Sequence, residues 1–171
     1  MPREISKPQS TEYGAYYNGY VNKVKGNPIS VLNDQIELYT EFVKQNSERM
    51  DYSYADGKWS IRESLIHLID TEQIFAYRAL RISRGDKTPM AGFNQDDYIR
   101  DNDFSHITPW DILEELTHQR RATLSMINKF TDEQIGHVGI ASDTETSVRA
   151  LIYIMAGHAQ HHLELFNERY L

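Results

Sequence analysis

The stretch Ser147 to Tyr170, SVRALIYIMAGHAQHHLELFNERY, constrains the fold more than any other. Ser147 can cap a helix start and no proline follows, so the segment reads as one long helix. At about 100° per residue, with His158 set at 0°, the apolar side chains from Val148 to Phe166 fill an arc from roughly 320° to roughly 140°. His158 and His162, one turn apart, fall inside that arc. His161 falls near 300°, at its edge beside the polar stripe of Glu164 and Glu168. Two imidazoles therefore point into whatever core this helix packs on. Burying them costs free energy unless each finds a partner. The partners are carbonyls or water in one reading. In the other they are a shared metal ion, since histidines at i and i+4 can converge on one cation.

The rest of the chain supplies a core for that helix. With 171 residues, 40% hydrophobic and 25% charged, it has the length and composition of one globular domain over residues 1–171. Residues 1–28 carry Pro2, Pro8, Gly14, Gly19, Gly26 and Pro28, too many breakers for a long helix. Tyr13, Tyr16, Tyr17 and Tyr20 suggest an arm lying on the body. Helix one is expected from Ser30 to about Met50. Helix two opens at Ser60 with a capping box to Glu63 and ends near Ser83. Helix three begins at Thr108 with Pro109 in its first turn and ends near Phe130. Between helices two and three, residues 85–107 are long and polar, with a helical turn expected near Asn94–Ile99. Gly136 to Thr146 reads as a link.

Four amphipathic helices predict an all-α four-helix bundle. The connection between helices two and three is the long one. Its 23 residues, at about 3.3 Å each, outreach the roughly 36 Å of a long helix. It can cross the bundle and set helix three parallel to helix two, giving an up-down-down-up topology. Helices two and four are then antiparallel. His67 lies about 10 Å from the start of helix two and His162 about 13 Å from the end of helix four, so the two share a level.

Charge and cysteine content narrow the chemistry. A net charge of −7 leaves no basic face for nucleic acid or an anionic membrane. With no cysteine, disulfides, thiolate metal sites and a cysteine nucleophile are excluded, and any thiol must come from outside. The N-terminus lacks an apolar signal region and no run approaches 18 apolar residues, which predicts a cytoplasmic protein. The partner expected is a small molecule. His67, on the flank of the apolar arc of helix two, joins His158 and His162 as a candidate three-histidine site. Neutral imidazoles suit zinc, nickel or iron(II) and leave positions open. His106, His118 and His137 lie in loops or on a polar face.

The segment GKWSIRESLIHLIDTEQIFAYRALRISRGD, with GHAQHHLELFNERY at the far end, resembles the DinB-like superfamily, with its metal-dependent enzymes of the YfiT type. The N-terminal EYGAYYNGYV is similar to the arm of that group. The resemblance implies an up-down-down-up bundle, a homodimer, and a divalent metal, zinc or nickel first, held by His67, His158 and His162. For activity it implies either of two chemistries. One is transfer of a low-molecular-weight thiol to an electrophilic small molecule, the reading favoured here. The other is hydrolysis by metal-activated water. A non-catalytic metal-binding dimer or stress protein is the third reading, and fold alone does not choose.

Around the histidines, Glu63 and Asp70 lie one turn either side of His67. They could accept its spare N–H, or stand as solvated acids. His161 could shuttle protons, or sit on the surface. Arg78 continues the His67 stripe and could bind a carboxylate of a thiol cofactor, or form a rim salt bridge. Two charges sit mid-arc, Glu72 in helix two and Arg120 in helix three. Each lies about 18 Å from its helix start. In parallel helices they are expected to meet as a buried ion pair, unless one side chain reaches solvent.

Overall fold

The computed structural model describes residues 3–171. Its elements in chain order are α1 (Asn18–Lys23), α2 (Pro28–Asn46), α3 (Ile61–Ser83), α4 (Gln95–Arg100), α5 (Pro109–Ile127), α6 (Asp132–Gly136), the strands β1 (Val138–Ala141) and β2 (Thr144–Ser147), and α7 (Val148–Leu165). The long helices start where side chains can take up orphan amides. Asn27 accepts from the Ile29 amide before Pro28 opens α2. Ser60 and Glu63 close a reciprocal box at α3, with the Ser60 amide donating to Glu63 Oε2 at 2.7 Å. Thr108, Pro109 and Asp111 do the same for α5, and Ser147 accepts from Ala150 at α7.

Pairwise contacts define the topology. Gln35 and Tyr39 of α2 donate to the carbonyls of Ala156 and Ala159 in α7, and Phe42 stacks on Phe166 beyond it, so α2 and α7 run parallel. His67 meets His158 while the Tyr170 hydroxyl donates to the Trp59 carbonyl, so α3 and α7 are antiparallel. Arg62 reaches the Ile107 carbonyl and Gln73 donates to Glu115, so α3 and α5 are parallel. The result is the expected up-down-down-up bundle, in which α2 and α3 each neighbour α5 and α7. Residues 85–107 make the crossover. The stretch is tied down midway by Met90, whose amide donates to the Ile140 carbonyl of β1 and whose carbonyl accepts from Ser142.

The interior is two apolar clusters with a polar layer between them. One holds Leu32, Phe75, Leu124 and Met155; the other holds Tyr39, Leu65, Leu116 and Leu163. On each long helix the changeover falls on a buried polar residue: Gln35 on α2, Thr71 and Glu72 on α3, Arg120 on α5 and His158 on α7. Arg120, fully buried, lies with Nε 2.9 Å from both Glu72 oxygens. Its Nη2 is 2.8 Å from Oε2, an ion contact too bent for a hydrogen bond. Nη1 donates to the Leu32 carbonyl at 2.7 Å and to Gln35 Oε1 at 3.0 Å, and Gln35 passes the network to Ala156. The expected pair therefore forms, and through Gln35 it touches all four helices.

The arm lies on the body across α7. Glu12 takes hydrogen bonds from Ser147 Oγ and from Arg149 Nε and Nη2 at 2.6–2.7 Å. Burial raises the Glu12 carboxyl, but the Arg149 and Ser147 bonds outweigh it and hold the pKa below its usual value. The Tyr153 hydroxyl donates to the Ile5 carbonyl, and Val21 is fully buried. Gly157 permits this approach, because a Cβ there would lie 1.9 Å from the Tyr20 carbonyl oxygen.

The link from Gly136 to Thr146 corrects the expectation. It contains a two-stranded antiparallel hairpin, with Val138 opposite Ser147 and Ala141 opposite Thr144. Ser142 and Asp143 turn it with φ of 51° and 58°, the left-handed geometry a two-residue hairpin needs, without the glycine or asparagine that marks such turns in a sequence. Helix bounds also shift. α2 runs Pro28–Asn46, α5 ends at Ile127, and α7 yields at Leu165 to a π-turn over Phe166–Tyr170. That turn buries both Phe166, against Phe42, and Tyr170, over Trp59.

Candidate metal centre

His67, His158 and His162 converge in the buried interface of α3 and α7, where two antiparallel helices bring their inward stripes to one level. His67 Nε2 is 3.1 Å from His158 Nε2, and His162 Nε2 is 3.2 Å from it. One potential ligand atom from each of the three lies within 4.8 Å of the others. Nitrogens 3.1–3.2 Å apart, each about 2.1 Å from a shared ion, subtend about 95–100° there, a normal angle between ligands. Burial pushes the histidines towards neutrality. The His67 pKa falls to about 4 and that of His162 to about 3; His158, enclosed and facing the other two, lies well below its usual value. Three neutral imidazoles with nitrogens turned on one point can share N–H···N contacts or, with their lone pairs turned inward, together hold a cation. Their donor set and spacing fit a divalent ion.

The surroundings fix the rings. Thr71 Oγ1, one turn beyond His67, lies 3.3 Å from its Nδ1. Trp59 tilts over His67 at 4.8 Å and Tyr20 meets the His158 ring edge-on at 5.3 Å. The His162 Nδ1 has no protein partner among the described residues. Two cavities reach the cluster. One, of about 270 Å³, includes Tyr16, Tyr17, Tyr20, Phe75 and His158 in its wall; the other, of about 340 Å³, includes Trp59, Tyr170 and His162. Asp96, in the first turn of α4, lines both.

The other residues singled out in the sequence lie elsewhere. Glu63 is occupied by the α3 cap, and Asp70 faces Glu115, so neither supports His67, whose ring turns to Thr71 instead. Burial raises the Asp70 carboxyl, and the Glu115 charge adds to it. His161 is half-buried, 5.5 Å by ring centre from both Tyr20 and His162, and stands outside the cluster. His106 and His118 are exposed, and His137 contacts the Ser83 carbonyl. Among the described residues Arg78 makes no rim salt bridge. It is buried, with Nη2 donating to the Ala91 carbonyl at 2.8 Å and to Ser142 Oγ at 3.0 Å. Sequence reasoning missed Thr71, Trp59, Tyr20 and Asp96. Thr71 carried a signal, at i+4 from His67 on the same stripe, and Tyr20 another, in the aromatic arm expected on the body.

The family profile of the DinB superfamily matches residues 33–166. The chain belongs to the DinB superfamily. The matched span runs from α2 to the end of α7 and holds all three histidines. Among relatives of this DinB-superfamily chain are two proteins of Oceanobacillus iheyensis, each named "Putative metal-dependent hydrolase". One is 28% identical over 138 residues, 75% of this chain and 78% of that protein. The other is 26% identical over 157 residues, 85% and 81% respectively. The solved structure of YfiT from Bacillus subtilis, described as "a probable metal-dependent hydrolase with an unusual four-helix bundle topology", matches with a TM-score of 0.70 at 16% identity, over 95% of this chain and 90% of that one. At that identity the likeness concerns the fold. Among the described residues no helix is long and apolar enough to cross a membrane.

Proposed function

We propose that the protein is a divalent-metal enzyme that transfers a low-molecular-weight thiol to an electrophilic small molecule. The observation that carries this reading is the pair of cavities meeting at one histidine cluster, with His158 in one wall and His162 in the other. Two cavities give two organic substrates separate approaches to one centre, which hydrolysis does not require. The absence of cysteine leaves a thiolate to be brought by the substrate.

His67, His158 and His162 would hold the ion, which supplies Lewis acidity when bound. Trp59 and Tyr20 cover two of the rings. Burial raises the Tyr20 phenol above its usual pKa, so it stays protonated and can donate to an oxygen on the electrophile. Asp96, common to both cavities, is placed to take the proton of the incoming S–H. The sulfur lone pair then forms the C–S bond, and the leaving group departs with the old bonding pair.

Hydrolysis is the second reading, favoured by the names of the Oceanobacillus relatives. Metal analysis of the purified protein, followed by conjugation assays with bacillithiol, mycothiol, glutathione and coenzyme A, separates them. Turnover needing both metal and thiol supports transfer. Turnover with metal alone supports hydrolysis, and turnover without metal overturns both. A homodimer is also proposed, to be tested by sedimentation. Metal stoichiometry without activity across broad panels returns the third reading, a metal-binding protein.

A further inference from the structure

Arg78 is the anomaly of the molecule. It is only 3% exposed, yet no carboxylate lies within ion-pair distance among the described residues. The other fully or nearly buried guanidiniums are neutralised, Arg120 by Glu72 and Arg62 by Asp51. A buried charge held only by neutral oxygens and aromatic faces is costly, and such a cost can persist where it serves a ligand.

The position of Arg78 says which ligand. Its guanidinium carbon is 5.7 Å from the ring centres of both Phe75 and Phe93. It donates to Ser142 Oγ. Phe75, Phe93, Ser142 and Tyr17 all line the cavity that opens on His158. Burial raises the Tyr17 phenol while the Arg78 charge pulls it the other way, which keeps a donating O–H in the wall beside a cation. Ser142 donates no hydrogen bond of its own among the described residues, so its hydroxyl hydrogen is free, and the bond it accepts from Arg78 strengthens it as a donor. The wall is thus electropositive at this end. The formal negative charge in the lining, Asp96, belongs to the other end, where the two cavities share it. Ser142 is also held at a left-handed φ of 51°, backbone strain at the point where its hydroxyl enters the cavity.

We propose that this end of the cavity is a carboxylate subsite, in which Ser142 and Tyr17 donate to the carboxylate and Arg78 positions and charges Ser142 from behind. The inference takes the histidine cluster as the reaction centre, as proposed above. The Tyr17 ring is 6.4 Å by centroid from the Tyr20 ring, which is 5.3 Å from the His158 ring, so Tyr17 stands within about 12 Å of the cluster. A molecule of dipeptide to tripeptide size spans that distance, at about 3.3–3.6 Å per extended residue, with its carboxylate at Ser142 and its reacting atom at the histidines. The carboxylate can belong to the thiol or to the electrophile, and the test separates them.

The metal-loaded protein is titrated, with ligand-observed NMR, against N-acetylcysteine and its primary amide, and against the thiol-free pair N-acetylalanine and its amide. In each pair the acid is expected to bind at least about tenfold more tightly than the amide. Ser142→Gly removes the hydroxyl and suits the left-handed backbone, so it should fold at least as well while the preference collapses. Arg78→Gln should also abolish the preference, and Arg78→Lys should restore part of it. Thermal unfolding and metal content of each variant separate loss of preference from loss of fold. Equal binding of acid and amide by the unaltered protein overturns the subsite, as does a preference that survives in Ser142→Gly. A preference confined to the thiol pair places the carboxylate on the thiol, and one shown equally by both pairs frees it from the thiol. If the metal-loaded protein turns over no electrophile with any added thiol, thiol transfer at the cluster falls while the carboxylate subsite stands on the N-acetylalanine result.

Discussion

At the residue scale the histidines and the Glu72–Arg120 pair carry the testable content. His67→Ala, His158→Ala and His162→Ala should each lose stoichiometric metal, read by atomic emission, while His106→Ala and His118→Ala keep it. In the metal-stripped protein, folded-state pKa values of about 4 for His67 and about 3 for His162 lie below the unfolded value near 6.5. The unfolded chain binds more protons between those limits, so this contribution to stability is complete above pH 6.5 and is lost as pH falls towards 3. Denaturant titrations from pH 7.5 to 4 should show the loss, and the triple histidine-to-alanine variant should show less of it. Removing either Glu72 or Arg120 alone strands a buried charge and should cost about 3–5 kcal/mol, while a paired apolar replacement should cost far less. His158, His162 and the Glu72–Arg120 pair were legible in the sequence because polar residues in the middle of apolar arcs are rare, while His67, on a flank, was legible only through the level it shares with them. Arg78 was legible as a candidate, but its lack of a counter-charge was not. That depends on Ala91 and Ser142, which arrive from distant loops.

At the scale of elements, the long helices could be read from caps and periodicity, and their levels from counting residues past the caps. The hairpin could not. Its strands are four residues each, and its turn, Ser142-Asp143, has no glycine or asparagine. Asp143→Gly relieves one left-handed position and should raise stability by about 1 kcal/mol, measured by denaturant titration. The arm was expected on the body, but not its close seat on α7, since Gly157 looks like a helix weakness until Tyr20 is seen against it. Gly157→Ala should cost about 1–3 kcal/mol by displacing α1. It should also uncover His158, because Tyr20 rests on that ring, so metal release to a chelator should quicken.

At the scale of the whole molecule, the metal should act as part of the fold. The cluster joins α3 to α7, so an ion binding the native state alone adds about 2.7 kcal/mol at a hundredfold excess over its Kd. Calorimetry with and without chelator should show that gain in Tm, and the His162→Ala protein should not show it.

The polar layer between the two apolar clusters has a further consequence. Hydrophobic contact by itself tolerates sliding, because one leucine fills a gap much as the next does. If one helix slid by a single turn, about 5.4 Å, it would bring an apolar side chain opposite Arg120 or Glu72 and leave a charge unanswered in the interior. The layer therefore acts as an alignment key with one accepted setting, shared by four helices through Arg120, Glu72 and Gln35. The same setting that closes this key is the one that puts His67 opposite His158, so the axial tolerance of the ligand cage is inherited from an ion pair that never touches it.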